Sequence, residues 1–286
     1  MNPAAPGDFR WRPLDALSWD EAAAAFTAGY EGYVIPVRVG GADLAARCEA
    51  EDVDRAASYV ISDDAGPAAI GLIARRGSRA RLAAFAVVPR MRGRGLARPA
   101  LARLIEESER RGDEALELEV FEHNLPAVRL YEAGGFLPTD RLVGFEAETA
   151  SPPAGQAPAL ETSTPAELAA QLAADAAGAG LPWQLQADTI GRMGAPWQVV
   201  RDGSGAWAMV DLSRADAVGL RLMFTLAARR RQGLARRLLA AIRANAAGKP
   251  VRVAQLIPER NAPFARALGF KEAEHGQLRM VRRRAA

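Results

Sequence analysis

The 286-residue chain holds one cysteine, two lysines and two histidines, and no continuous apolar run approaches a membrane-crossing length, which is roughly 18 residues. Each scarcity excludes something. Cys48 alone allows neither an intrachain disulfide nor a thiolate metal site, so no metal centre is expected. Within its Ala-rich stretch it reads as a small buried hydrophobe rather than a nucleophile. Lys249 and Lys271 are the only lysines, and arginine carries the remaining positive charge. A formal net charge of +3 is too small to point to nucleic acid. Met1 to Pro13 carries Asp8, Arg10 and Arg12 without an apolar stretch, so neither a signal peptide nor a membrane partner is expected, and a cytoplasmic location is. Apolar residues at 49% and charged residues at 25% describe an ordinary folded protein.

What the chain does have is an internal repeat. Glu148 to Pro158, ETASPPAGQAP, reads as a linker between two apolar-periodic regions. Residues 58–89 and 196–227 then run in parallel at a constant offset of 138, each giving strand, Asp-containing turn, strand, short turn and strand. Asp64 falls on Asp202, and Arg92, Gly95, Leu96 and Ala97 fall on Arg230, Gly233, Leu234 and Ala235. After this loop Leu96, Ala100, Leu101, Leu104 and Ile105 recur at helical spacing, as do Leu234, Leu238, Leu239 and Ile242. Pro99 sits in the first turn of its helix, and Gly248-Lys249-Pro250 is expected to stop the second. A further strand follows each helix, Ala115 to Phe121 and Val251 to Ile257. Hairpins, helix and strand imply a mixed sheet with helices packed on it.

The segment Val87-Val88-Pro89-Arg90-Met91-Arg92-Gly93-Arg94-Gly95-Leu96-Ala97 ends a strand, turns on glycine and starts a helix at once. Unpaired N–H groups and the positive end of the helix dipole suit such a turn to a phosphate or pyrophosphate, with Arg92 and Arg94 adding charge. A Walker loop would need Gly-Lys-Ser/Thr, which is absent, and a dinucleotide fingerprint would need a small residue where Arg98 stands. The pattern Arg92-x-x-Gly95-x-Ala97, repeated as Arg230-x-x-Gly233-x-Ala235, resembles the acyl-coenzyme-A loop of the GNAT superfamily of acetyltransferases. Leu118-Glu119-Val120-Phe121-Glu122-His123-Asn124 followed by Leu130-Tyr131 and Gly135-Phe136 resembles that family's strand-to-helix segment. Ala28 to Tyr33 resembles its acceptor-side helices more loosely.

The resemblance implies an α/β fold (α+β mixed sheet) of two tandem GNAT-like domains, each a mixed, mostly antiparallel sheet flanked by helices. The domains are expected at residues 1–147 and 159–286, joined by the linker at 148–158. It also implies acetyl-coenzyme A as acyl donor, with Val87, Val88, Arg92, Gly93, Arg94, Gly95, Leu96, Ala97 and Asn124 as its binding residues. Tyr131 matches the family's general acid, and Glu119 the carboxylate that serves as base in enzymes acetylating ribosomal-protein N-termini. Against these stand plainer readings: Tyr131 as a half-buried core tyrosine, Glu119 as a strand residue pairing an arginine, and His123 as a surface histidine. The acidic run Glu49, Glu51, Asp52 and Asp54 is expected to form a solvated helix face, and Arg282–Arg284 a solvated tail.

All four tyrosines lie in the first half. Counting back from Gly269-Phe270, Ala265 takes the place of Tyr131, and Val251 to Ile257 holds no carboxylate. The second copy is therefore expected to be degenerate and structural. The expected activity is transfer of an acetyl group to a primary amine of a small molecule or peptide N-terminus, by a monomer (an internal pseudo-dimer) or a homodimer. A non-catalytic coenzyme-A-binding sensor or scaffold is the alternative.

Overall fold

The computed structural model describes residues 9–33, 37–147, 160–175, 178, 180–246 and 248–284. The expected linker at 148–158 lies outside the described residues. The chain divides into two compact units: Met1–Val120, Asn124–Thr139 and Arg279–Ala286 form the first, and Phe121–His123 with Asp140–Leu278 the second.

The first half of the chain runs β1 (Arg10–Pro13), α1 (Trp19–Gly29), α2 (Gly41–Ala50), β2 (Tyr59–Asp63), β3 (Gly66–Arg76), β4 (Arg79–Val87), α3 (Ala97–Arg110), β5 (Ala115–Phe121), α4 (Leu125–Ala133) and β6 (Leu137–Ala147). The second half runs β7 (Glu161–Ser163), α5 (Pro165–Ala174), α6 (Ala187–Ile190), β8 (Gln198–Arg201), β9 (Ala206–Asp211), β10 (Val218–Thr225), α7 (Leu234–Ala244), β11 (Val251–Pro258), α8 (Ala262–Ala267), β12 (Lys271–Glu272) and β13 (Gln277–Arg283). In the first unit the strand order is β1-β2-β3-β4-β5, completed beside β5 by Arg279–Arg283 of β13. In the second it is β6-β11-β10-β9-β8-β7, with Asp140–Ala147 of β6 at β11 and β12 pairing β6. Each unit is thus finished by a strand from the other half of the chain.

Both units repeat the same local choices. A Ser18 hydroxyl accepts the Glu21 N–H while the Glu21 carboxylate accepts the Ser18 N–H, starting α1, and Thr164 with Glu167 starts α5 in the same way. Antiparallel hairpins follow, and then one parallel pair, β4 with β5 and β10 with β11. Leu101, Leu104 and Ile105 of α3 form the buried stripe of their unit, and Leu238, Leu239 and Ile242 of α7 that of theirs. The mixed sheets flanked by helices are those expected from the sequence.

Four local expectations are corrected. Helix α7 ends at Ala244, before Gly248, because Asn245 caps it and its side-chain amide donates to the Ala241 carbonyl at 2.8 Å. The aspartate that holds the first hairpin turn is Asp63, accepting the Ala65 N–H at 2.9 Å, not Asp64. A register shift at Ile61/Ser62 displaces it by one position from Asp202, which accepts the Ser204 N–H. The acidic run is a solvated face only at Glu49: Glu51 is buried, Asp52 pairs Arg76, and Asp54 pairs Arg111. Nor is Arg282 in a solvated tail, since it lies in β13, donates to the Gly134 carbonyl at 3.0 Å and pairs Glu109 at 2.6 Å.

Candidate active site

In the first unit the parallel strands β4 and β5 pair only from Arg79–Ala115 to Arg81–Glu117 and then part. Beyond that point the edge of β4 on the β5 side has no strand partner among the described residues, although backbone donors and acceptors in a protein interior need one. The Val88 N–H bonds the Ala68 carbonyl of the segment leading β3 at 3.0 Å. Alternation along an antiparallel ladder then turns Val87 and Phe85 away from β3, into the wedge. Of the two expected positions, Val87 presents an N–H to the wedge and Val88 does not.

The loop after β4 closes the mouth of this wedge. Gly95 has φ +83°, with open space where a side chain would begin, so the backbone there is accessible to a ligand. The N–H groups of Ala97 and Arg98 open α3, a helix of 14 residues, where the dipole favours an anion. Arg94 is exposed at the same loop. Arg92 does something else. Its guanidinium donates to the carbonyls of Val87 at 3.0 Å, Gly29 at 3.1 Å and Glu31 at 2.8 Å. The arginine expected to face a pyrophosphate instead bolts the end of α1 to the end of β4.

That bolt gathers three tyrosines. Tyr30, the C-cap of α1, stacks on Phe26 at 4.7 Å and meets the ring of Tyr33 edge-on at 5.2 Å. Tyr131 on α4 is buried against Phe85 and Phe136, at centroid distances of 6.5 and 5.9 Å. Burial, with Tyr30 and Tyr33 close by, holds its phenol well above the usual range. Burial likewise pushes Tyr33 up to about 12, against the opposing hydrogen bond from the Asn124 side chain. Asn124 also caps α4, its side chain accepting the Ala127 N–H at 3.4 Å. One residue thereby orients the helix that carries Tyr131 and meets the segment that carries Tyr33. The sequence reading named the stretch of Tyr30 and Tyr33 but gave neither a role.

Glu119 is also placed in this unit, held on the floor. Its Oε2 accepts from Arg81 Nε at 2.9 Å and pairs Arg81 again at 2.8 Å, while Arg81 reaches Glu51 at 2.7 Å and Glu51 reaches Arg47. Burial opposes the charge of Arg81, but Glu119 and Glu51 outweigh it and leave its pKa raised. The plainer reading of Glu119 describes its contacts. No sequence signal pointed to Arg81, because the pairing runs across strands 38 residues apart. Cys48 is buried, its thiol pushed up to about 11 by that burial, which keeps it un-ionised and inert. His123 is exposed, and its ring lies 4.2 Å from that of His275.

Beside α1 an open cavity of about 710 Å³ is lined by Asp20, Thr27, Tyr30, Glu31, Gly32 and Val39, among others. Tyr30 therefore belongs both to the wall of this cavity and to the edge of β4.

The second unit preserves the loop and lacks side chains matching Tyr131 and Glu119. Strands β10 and β11 pair only at Val218–Val251 and Gly219–Arg252 before parting. Arg230 Nε donates to the Thr225 carbonyl at 3.1 Å, the repeat of Arg92 on Val87, and Gly233 has φ +75°. Arg231 takes the left-handed backbone at φ +62° where the first loop has Gly93 at φ +72°. The Phe136 N–H bonds the Tyr131 carbonyl at 3.0 Å, and the Phe270 N–H bonds the Ala265 carbonyl at 3.2 Å, so Ala265 does stand in the place of Tyr131. Counting along the parallel ladders puts Gly219 in the place of Arg81 and Ala254 in that of Glu119. Asp175, after α5, takes Arg230 at 2.5 Å and the Ala227 N–H at 2.8 Å, locking this loop with a carboxylate.

Residues 15–136 match the sequence model of the Acetyltransferase (GNAT) family. The first half of the chain thus resembles that family in sequence, and the whole chain shares its fold with a solved structure of the tandem form. Among solved structures it is similar to a GCN5-related N-acetyltransferase from Sphaerobacter thermophilus, with TM-score 0.68 and 14% identity over 99% of this chain and 98% of that one. A tandem GNAT protein from the clavulanic acid biosynthesis pathway gives TM-score 0.68 and 15% identity, covering 97% and 99%. A GCN5-related N-acetyltransferase from Kribbella flavida gives 0.61 and 14%, covering 98% and 72%. A search of curated protein sequences finds no match. No described helix is long and apolar enough to cross a membrane.

The first unit fits an acyl-coenzyme A. The wedge leaves the Val87 N–H and a strand edge for an extended chain carrying amides, and the Gly95 loop with the start of α3 offers N–H groups for phosphates. Beside them stands a phenol held in its protonated form.

Proposed function

We propose that the protein transfers an acetyl group from acetyl-coenzyme A to a primary amine in the first unit. The observation that carries this reading is the convergence of a parted strand pair, an anion-competent loop and the buried Tyr131 in a single unit. Gly93, Gly95, Leu96 and Ala97 would hold the phosphates, with Arg94 adding charge at the rim. Arg92 shapes the site rather than binding in it. Val87 would supply an N–H to the thioester end of the donor, and Asn124 keeps Tyr131 and Tyr33 in place.

The amine nitrogen forms a bond to the acyl carbon, and the carbon–sulfur bond breaks. Tyr131 gives its proton to the departing sulfur, and the nitrogen loses a proton in exchange. Glu119 would be placed to take that proton only by leaving Arg81, whose guanidinium occupies its Oε2. The proton leaves instead to water at the open cavity, which also admits the acceptor. Asp20 and Glu31 on that wall outnumber Arg38 and favour an acceptor that arrives as an ammonium cation, which gives up a first proton to water before its nitrogen attacks.

A sensor or scaffold that only bound coenzyme A would have no use for a phenol at this position. Acetyl-coenzyme A presented with a panel of primary amines should release free thiol together with an amide product of matching mass. Tight binding of acetyl-coenzyme A with no amide from any amine would favour the sensor.

A further inference from the structure

Strand β4 carries a bulge just past the point where it leaves β5. Leu72 faces Ala84 and Ile73 faces Leu82, so Ala83 is the extra residue of the β3–β4 ladder. The last β4–β5 pair is Arg81 with Glu117. A bulge bends its strand and sharpens the local twist, which carries β4 away from its parallel neighbour. The second unit repeats the coincidence: its register shifts at Arg221, the counterpart of Ala83 at the offset of 138, and its last β10–β11 pair is Gly219 with Arg252. A bulged residue drops out of the ladder, and Ala83 is buried, so its carbonyl needs another donor. Arg47 of α2 supplies it, with Nη2 at 3.0 Å. That guanidinium is itself held in place, its Nε pairing Glu51 at 3.3 Å and its plane lying over the Phe26 ring at 5.4 Å. Glu51 in turn pairs Arg81 at 2.7 Å, and Arg81 pairs Glu119 of β5 at 2.8 Å. A chain of alternating charges therefore spans the point where the strands part, from the bulge of β4 across to β5.

We propose that Arg47 is a positioning residue that holds the cleft between β4 and β5 open for the acyl-bearing arm of coenzyme A. This rests on the acyl-transfer reading above. Without the guanidinium, the Ala83 carbonyl is left buried and short of a donor, which is a costly state. Strand β4 relieves it by straightening or by closing toward β5, and either movement narrows the cleft and displaces the Val87 N–H. A smaller share of the protein is then competent to take the arm, and the apparent affinity falls by that share. The loop at Gly95 lies past the end of β4 and is secured by a separate side chain, Arg92. The two parts of the donor site thus depend on different arginines, Arg47 for the cleft and Arg92 for the loop. Arg47 acts through β4, so its effect falls on the arm and not on the phosphates.

The test compares two ligands on the full chain: acetyl-coenzyme A, and its phosphoadenosine diphosphate portion, which reaches the loop but not the cleft. Arg47→Met keeps an apolar stem beside Phe26 and removes the donor. Calorimetry should find acetyl-coenzyme A about tenfold weaker on this variant, the loss expected of a hydrogen bond from a charged group, with the nucleotide portion within about twofold of wild type. Arg47→Lys returns a charged donor to the Ala83 carbonyl and should bring acetyl-coenzyme A affinity back to within about threefold. Unchanged binding of acetyl-coenzyme A by Arg47→Met would overturn the proposal. Equal weakening of both ligands would overturn it too, because that marks a general loss of structure, and so would Arg47→Lys binding no better than Arg47→Met. Should Arg47→Met not fold, Arg47→Gln, whose amide stops short of the carbonyl, takes its place with the same outcomes expected. A wild-type protein that fails to bind acetyl-coenzyme A withdraws the acyl-transfer reading itself, and does so before any variant is made.

Discussion

Tyr131 and Glu119 are the two residues that the sequence singles out for chemistry, and they part company in the structure: one is a buried phenol and the other is held by Arg81. Tyr131→Phe removes only the proton, so kcat should fall by roughly 10²-fold or more while coenzyme A affinity holds. Because burial raises its pKa well above that of a free phenol, the acid is present throughout ordinary working pH. Between pH 7 and 10 kcat should therefore show no falling limb from loss of this proton, and a limb that disappears in Tyr131→Phe would contradict the assignment. Glu119→Gln is expected to act on stability instead. It leaves Arg81 buried with one counter-charge fewer, a change that costs about 3–5 kcal/mol where one partner of a buried pair is removed, read as a lower thermal midpoint. A 10²-fold loss of kcat at unchanged stability would return Glu119 to the role of base. The tyrosine was legible because its motif is local in sequence. The partner of Glu119 was not, because cross-strand ion pairs leave no spacing to read.

At the scale of the element, the loop after β4 was the clearest sequence signal, yet the part played by Arg92 could not be read from it. Glycine spacing specifies backbone shape, whereas the target of a long side chain depends on what the fold brings near. The persistence of the same bond in Arg230 on Thr225 shows that the motif's arginine secures loop geometry in both units. A second repeat signal lies outside the offset of 138: Ser18-x-x-Glu21 and Thr164-x-x-Glu167 are matching helix starts, and the stretch from helix start to hairpin is eight residues shorter in the second copy. The last strand makes a sharper case. Arg279 pairs Glu117, whose side chain is 4% exposed, at 2.6 Å, and the Arg284 N–H bonds the Glu114 carbonyl. These contacts lie inside the first unit although they come from the end of the chain. A chain truncated after Leu278 should therefore lose coenzyme A binding and unfold at lower temperature, through the loss of a strand from the first unit. Unchanged binding by the truncated chain would show that the first unit closes without it.

For the whole molecule, the repeat, the order of elements and the loss of Tyr131's counterpart were all readable, since each lies in a run of sequence that can be laid against its copy. The exchange of final strands was not, because β6 and β13 carry no mark of which sheet they join. The account's central claim is that acyl transfer belongs to the first unit while the second keeps only the shape of the loop. Thiol release and calorimetry with acetyl-coenzyme A on wild type, Gly95→Glu and Gly233→Glu test it together. Gly95→Glu places a carboxylate in the open space where phosphates would lie and should abolish both binding and turnover with the fold intact. Gly233→Glu, beside a loop already held by Asp175, should leave turnover within about twofold of wild type. Turnover that survives Gly95→Glu, or that stops in a folded Gly233→Glu protein still binding at the first loop, would contradict it.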